Sequence, residues 1–195
     1  MLIALAITQT AFGQERYREE AVKAAFLYRF AGYIEWPPEA LNAEHFTIAV
    51  LGSGQIATEL ERLLPARSIK DLPAQVKRIN RLNQLEDAQI LFISSRHPQS
   101  TASIVRALRS KPVLVVTDRP NGLDEGSVIN FLSIDRRVRF EISVAAAQKA
   151  KLKVGAELLS VAARVRGAPE RADRPCTPFE NCACRDQCLA YALVP

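Results

Sequence analysis

Residues 90–118, ILFISSRHPQSTASIVRALRSKPVLVVTD, decide the fold class of this chain. Ile90–Ile93 and Val113–Val116 are uninterrupted apolar runs, and residues 97–110 between them have a helical pattern with Pro98 near its start. Strands that helices cover on both faces are apolar throughout, unlike strands with one wet face. The segment therefore predicts two buried parallel strands joined by a helix.

The residues before this segment show the same alternation of strand and helix. HFTIAVLG (45–52) predicts a strand, SGQIATELERLL (53–64) a helix, and AQVKRIN (74–80) a second strand. Ser53 stands immediately before the helical pattern and is its predicted N-cap.

The residues after the segment follow a different pattern. SVINFLSI (127–134) and RVRFEISV (137–144) are strand-like and are separated by a short polar turn. In the second strand apolar residues alternate with Arg139 and Glu141, which predicts an antiparallel hairpin with these two residues on the wetter face.

Two helical segments, residues 145–151 and 155–165, close the predicted domain. Together the patterns predict an α/β fold: a Rossmann-like three-layer sandwich with a mixed sheet and a C-terminal antiparallel hairpin. The domain is predicted to span residues 14–166.

The N-terminal helical pattern, KAAFLYRFAGYIEWPP (23–38), is rich in aromatic residues and contains the only Trp of the chain. Its apolar surface is wider than the stripe of an ordinary surface helix, so two sides of the helix must be buried against other apolar residues. Phe26 and Phe30 are one turn apart and are assigned to the core. The other side is covered either by the rest of the domain or by a partner, where Tyr and Trp are enriched. The predicted partner or dimer surface consists of Tyr28, Tyr33 and Trp36.

The first residues, MLIALAITQTAFG, have the features of a secretory signal peptide spanning residues 1–13. An apolar run, Leu2–Ile7, precedes small residues at Ala11 and Gly13, and it is shorter than the about 20 residues of a membrane span. No basic residue precedes the run. The pattern predicts export and a soluble mature chain, and the alternative is a cytosolic chain whose apolar N-terminus packs on the domain.

The C-terminal segment, residues 167–195, is predicted to be a charged, proline-containing linker followed by a cysteine-rich tail. All four cysteines lie here with the spacing C-x5-C-x-C-x3-C. In an exported protein two disulfides are expected, and their pairing stays open. A zinc site is the lesser alternative because paired C-x2-C spacing is missing. The predicted disulfide residues are Cys176, Cys182, Cys184 and Cys188.

Two short motifs resemble parts of enzyme active sites, but each lacks a residue or sequence element that such a site requires. GSGQIA (52–57) matches a dinucleotide fingerprint, but the following strand ends in Asn80 and Arg81 where an acidic residue is required. A hydrolytic triad is suggested by Ser94 or Ser95 with His97 and Asp118, but no G-x-S-x-G elbow is present. We therefore predict no enzymatic activity and no cofactor.

The ends of the parallel strands define a possible ligand crevice instead, because open α/β sheets bind ligands there. If the protein is a small-ligand receptor, for a nucleotide or an amino acid, this crevice is its predicted site. Nucleic acid is not predicted as a partner, since the net charge of +5 is modest and no basic cluster carries interleaved aromatics. The crevice residues are Gly52, Ser53, Gly54, Ser94, Ser95, Arg96, Thr117 and Asp118.

Four motifs in order resemble the YfiR family of periplasmic proteins over about residues 22–165. They are the WP step at Trp36, the INF strand at Ile129–Phe131, the RFEI strand at Arg139–Ile142 and the alanine-rich ending at Ala147–Ala162. The resemblance implies a non-enzymatic periplasmic repressor that binds the periplasmic region of a membrane-bound diguanylate cyclase or related sensor protein and lowers cyclic-di-GMP. It also implies a homodimer. Family redox control is in doubt here, because the domain before Cys176 contains no cysteine.

Overall fold

The computed structural model describes residues 8–108 and 111–167, with side chains from Glu19 onward. Short 3-10 helices cover Pro38–Leu41 and Leu82–Gln84. The α-helices are α1 (Thr8–Tyr33), α2 (Gly54–Leu63), α3 (Thr101–Ala107), α4 (Val144–Lys149) and α5 (Ala156–Val161). The strands are β1 (Ile34–Glu35), β2 (Phe46–Leu51), β3 (Ser68–Ile69), β4 (Leu72–Ile79), β5 (Ile90–Ile93), β6 (Leu114–Thr117), β7 (Ile129–Ile134), β8 (Arg137–Ser143), β9 (Lys153–Val154) and β10 (Arg164–Arg166).

Eight of these strands form one mixed sheet in the order β10-β8-β7-β6-β5-β2-β4-β3. Strands β4, β2, β5, β6 and β7 are parallel, whereas β8 is antiparallel to β7 and β10 runs parallel to β8. Strands β1 and β9 pair separately. The predicted α/β class, mixed sheet and antiparallel hairpin are confirmed.

The sheet has two faces because successive side chains of a strand point in opposite directions. On the first face, Ile48 and Val50 belong to a core that includes residues of α1, α2 and α5. On the second face, Ala49 and Leu51 belong to a core completed by α3. These helices and the sheet form three layers, as expected from the alternating pattern.

The aromatic helix packs against its own domain on more than one side. Phe30 is fully buried, and Phe26 and Phe30 contact Phe131 and Phe140 with ring centroids 5.0 to 6.1 Å apart. Helix α1 also contacts α2 and α5. The assignment of the two Phe rings to the core is therefore correct, and the domain itself covers much of the wide apolar surface.

Trp36 is placed differently from the prediction. Helix α1 ends at Tyr33, and the next two residues pair as β1 with β9, which turns Trp36 into the core. Its ring is only 7% exposed and meets the edge of Phe46 at 5.2 Å. Tyr28 is half-buried under Arg67, and Tyr33 is 42% exposed. Of the three residues predicted to form the partner surface, Trp36 therefore lies in the core, and only Tyr28 and Tyr33 are accessible at the surface of this chain.

Two further predictions are corrected at the C-terminal end. The helical pattern of residues 155–165 is interrupted, since α5 ends at Val161 and β10 follows and pairs with β8. Glu141 is 5% exposed and not on a wet face, because Arg164 of β10 lies beside it in register. Arg139 is exposed as predicted.

The helix starts agree with the sequence in one case and differ in another. Ser53 caps α2, and its hydroxyl accepts a hydrogen bond from the Ile56 amide. Pro98 lies before α3, whose N-cap is Ser100.

No helix in the described residues has the length and apolar character of a membrane span. The predicted signal peptide lies largely outside the described residues, and the four tail cysteines lie wholly outside them.

Candidate functional site

The carboxyl ends of β2, β5 and β6 meet at one edge of the sheet. Strand β2 lies between β4 and β5, so the chain changes direction across the sheet at the β2–β5 boundary. Gly52 to Gly54 follow β2, Ser94 to Arg96 follow β5, and Thr117 and Asp118 lie at the end of β6. The structure thus brings the predicted crevice residues to the same edge, which is where ligands bind in open α/β sheets.

The loop after β5 covers this boundary. Gly52 has φ +86°, and a Cβ there would lie 2.8 Å from Cβ of His97. The Ser94 amide donates to the Leu51 carbonyl at 2.9 Å, which holds the loop against the end of β2. Glycine is required at position 52 both by the left-handed backbone and by this close approach.

Asp118 binds both this loop and α1. One carboxylate oxygen accepts the Ser95 amide at 2.6 Å, and the other accepts Lys23 Nζ at 2.9 Å. Lys23 is 7% exposed and also pairs with Glu19 at 2.8 Å. Burial lowers the pKa of Lys23, but the hydrogen bonds and charges of Glu19 and Asp118 outweigh it and leave the pKa above its ordinary value. We call Lys23, Asp118 and the Ser95 amide the α1 clamp.

Arg119 fixes the same loop from β6. Its guanidinium donates to the Ser94 carbonyl at 2.9 and 3.2 Å, to the Gln99 carbonyl at 2.9 Å and to the His97 carbonyl. No sequence motif predicted a role for Arg119. Its position in the turn directly after the predicted crevice residue Asp118 is the one signal that points to it.

A shallow depression of about 350 Å³ lies beside the start of α2, and its charges are balanced. Arg78 pairs with Glu61 at 2.6 Å, and Arg96 lies 3.5 Å from Glu20. Arg78 also donates to the Gly54 carbonyl at 3.2 Å. Of the predicted crevice residues, only Gly54 and Arg96 line this depression. The depression therefore has no evident attraction for an anionic nucleotide.

A buried polar network begins at Thr117, the residue before Asp118 of the α1 clamp, and continues through Asn130 to Glu141. The Thr117 hydroxyl donates to Asn130 Oδ1 at 2.7 Å, and Asn130 Nδ2 donates to Glu141 at 3.0 Å. Arg164 approaches the other Glu141 oxygen at 3.5 Å. At Gly122 a Cβ would lie 2.3 Å from the Thr117 hydroxyl. Polar residues of the INF and RFEI motifs thus hold the turn after β6 in place.

The residues of the suggested triad are used in other contacts. His97 Nδ1 accepts the Gln99 amide at 3.3 Å, and the carboxylate of Asp118 belongs to the α1 clamp. No group of three or more potential metal-ligating His, Cys, Asp or Glu occurs among the residues that the structure describes.

The chain has only distant similarity to solved structures. One is the ABC domain in complex with L-Trp from Streptococcus pneumonia, with 12% identity and a TM-score of 0.46 over 67% of this chain and 56% of that chain. Another is a conserved domain protein from Vibrio cholerae, with 10% identity and a TM-score of 0.45 over 65% of this chain and 56% of that chain. The chain thus spans little more than half of each.

Comparison with curated proteins gives no significant match. The sequence profile of the DUF4154 family, described as YfiR/HmsC-like, matches residues 20–163. The matched range begins at the buried Glu20 of α1 and ends just before β10, so it contains the α1 clamp and nearly all of the sheet. The chain belongs to the YfiR/HmsC-like family.

Proposed function

We propose that this chain binds the periplasmic region of a membrane-bound diguanylate cyclase and holds the enzyme inactive, without catalysing a reaction itself. The observation that carries the proposal is the family match over residues 20–163. Membership supports a periplasmic regulator of diguanylate cyclase signalling in general terms. The specific contact, the direction of control and the homodimer belong to the proposal.

The strand ends support a binding role for the outer surface over a role for the crevice. The loop after β5 covers the β2–β5 boundary, and the Asp118 carboxylate is bound by Lys23 and Ser95. On the outside of α1, Val22 and Tyr33 are both 42% exposed. They are eleven positions apart, about three helical turns, and so share one face of the helix. We propose this face as the partner or dimer surface, together with the half-buried Tyr28, which lies about 140° around the helix from Tyr33.

Deletion of the gene tests the proposed direction of control. We expect cyclic-di-GMP to rise in the deletion strain and to fall again when the full chain is restored. Unchanged cyclic-di-GMP would contradict repression. Copurification from solubilised membranes, followed by mass spectrometry, tests the contact: a protein with a diguanylate cyclase domain is expected among the specific partners.

A pair of variants tests the surface itself. Tyr33→Ala is expected to weaken both partner binding and repression, since an exposed Tyr at an interface centre is a frequent hot spot. Gln148→Ala, an exposed change on α4, is the matched control and is expected to leave both intact. Equal behaviour of the two variants would remove α1 from the proposed interface.

The alternative is a small-ligand receptor that uses the crevice residues Gly52–Gly54, Ser94–Arg96, Thr117 and Asp118. Their convergence at one edge of the sheet favours it. A ligand that binds only the folded state raises the melting temperature. Thermal shift with nucleotides and amino acids tests this alternative, and a Ser95→Trp variant that abolished such a shift would support it.

A further inference from the structure

A groove of about 410 Å³ lies on the second face of the sheet, between α3 and α4. This volume falls within the range of about 300–1,000 Å³ found for small-ligand sites. Its lining is mainly apolar on the floor and on both walls. The apolar lining residues include Val105, Val113, Val115, Leu123, Val128 and Ala146.

The rim of the groove is basic. Arg106 on α3 and Lys149 on α4 are exposed, and neither forms an ion pair with any residue in the described ranges. The one acid on the lining, Asp124, is bound by Arg166. The third cation, Lys111, reaches only a carbonyl, that of Glu86. Positive charge on the rim is thus left unneutralised within the part of the chain that the structure describes.

We propose that this groove binds a small amphipathic carboxylate of the medium-chain fatty acid type. Its alkyl chain would lie on the valine-rich floor, where burial removes apolar surface from water. Its carboxylate would meet Arg106 and Lys149, because charge-assisted hydrogen bonds to an anion are stronger than neutral ones. The balanced depression at the start of α2 offers no such combination of apolar floor and unpaired cations.

The experiment is isothermal titration calorimetry of the full chain with octanoate and decanoate below their micelle concentrations. We expect one saturable site with decanoate about 16-fold tighter, since each buried methylene contributes about fourfold in affinity. Decanol, which has the same chain without the charge, should bind at least about tenfold more weakly, the loss expected when a charged group loses its partner.

Variants assign the binding to the groove. Arg106→Gln with Lys149→Gln should weaken decanoate about tenfold or more and leave decanol unchanged. Arg137→Gln, an exposed change on β8, is the matched control and should bind as the unmodified chain does. Ala146→Phe should fill the groove and abolish binding. If this variant does not fold, as judged by circular dichroism, the charge variants still decide the result.

Three outcomes would overturn the proposal. The first is no saturable heat with either fatty acid. The second is equal binding of decanoate by the unmodified chain and by the Arg106 and Lys149 variants. The third concerns the chain's own C-terminal segment, because Gly167, the last residue that the structure describes, lies against Ala145, the neighbour of the groove residue Ala146. If decanoate binds only after Leu189→Ser and Tyr191→Ser are introduced, that segment is the occupant.

Discussion

The two faces of the central sheet differ in what covers them, although the same strands supply both. The first face carries α1, α2 and α5 and a cluster of Phe rings. The second face carries α3 and mostly aliphatic side chains, and the groove opens beside that helix. Large rings fill the space under the helices of the first face, whereas on the second face the space between α3 and α4 is left open as the groove. The first face is therefore filled by packed side chains, whereas the second has a groove large enough for a small ligand.

The largest expected effect tests the aromatic face. Phe30→Ala should lower the free energy of unfolding by about 3–5 kcal/mol, because the ring is fully buried among other Phe rings. Denaturant unfolding measures this change. Val105→Ala, on the groove wall of the second face, is the comparison and should cost much less. Equal losses would mean that the two faces are packed alike.

The α1 clamp gives the next effect. Lys23→Met should lower the free energy of unfolding by about 3 kcal/mol at neutral pH, because Asp118 would stay largely buried without its cation. The folded-state pKa of Lys23 is raised, so its contribution is complete below the ordinary Lys pKa of about 10.4 and is lost as pH rises through the folded-state value.

The measurement for this prediction is denaturant unfolding of both proteins from pH 7 to pH 11. The difference between them should be constant up to about pH 10 and should shrink above it. A double-mutant cycle with Asp118→Asn isolates the pair. A difference that already declines between pH 7 and pH 9 would show that Lys23 is not the titrating group.

A matched pair of glycines gives a smaller effect. Gly122→Ala places a methyl group 2.3 Å from the Thr117 hydroxyl and 2.5 Å from Asn130 Oδ1, so we expect a loss of about 1–3 kcal/mol. Gly32→Ala on α1 meets no atom within 4 Å and should stabilise by about 0.5–1 kcal/mol. Melting temperatures measured by differential scanning calorimetry should shift in opposite directions. Shifts of the same sign would contradict the proposed role of the turn.

The smallest stability effect belongs to the exposed part of the aromatic helix. Tyr33→Ala should change the free energy of unfolding by no more than about 0.5 kcal/mol, as surface changes do. Its effect should appear instead in oligomeric state or partner binding. Light scattering at several concentrations measures the first, and an unchanged dimer that still represses would leave this face without a role.

The elements that could be predicted from the sequence are those in which one periodicity dominates. The continuous apolar runs at β5 and β6, the cap at Ser53 and the alternating hairpin are local signals, and the structure has each of them. Elements that depend on a tertiary contact could not be predicted in this way. Residues 164–166 have helical neighbours but become β10, because β8 offers an open edge there. The same contact buries Glu141.

The sequence pattern predicted which residues lie together at the strand ends, but not which contacts their side chains make. Strand polarity alone places Gly52, Ser94 and Asp118 at one edge, so sequence pattern was sufficient for that. Lys23 of α1 binds the Asp118 carboxylate although the two residues are 95 positions apart in the chain. A contact of such sequence separation leaves no local signal in the sequence. The burial of Trp36 depends on β1 pairing with β9, which no local pattern indicates.

The contacts of α1 also have a consequence for folding kinetics. The helix ends at Tyr33, yet it packs on β8 and α5, which lie more than one hundred residues later in the chain. Contacts of such high sequence separation must close a long loop before they contribute, and proteins rich in them fold slowly. The aromatic cluster cannot assemble until Phe140 has left the ribosome. Synthesis therefore leaves an interval in which the first helix is available and its partners do not yet exist.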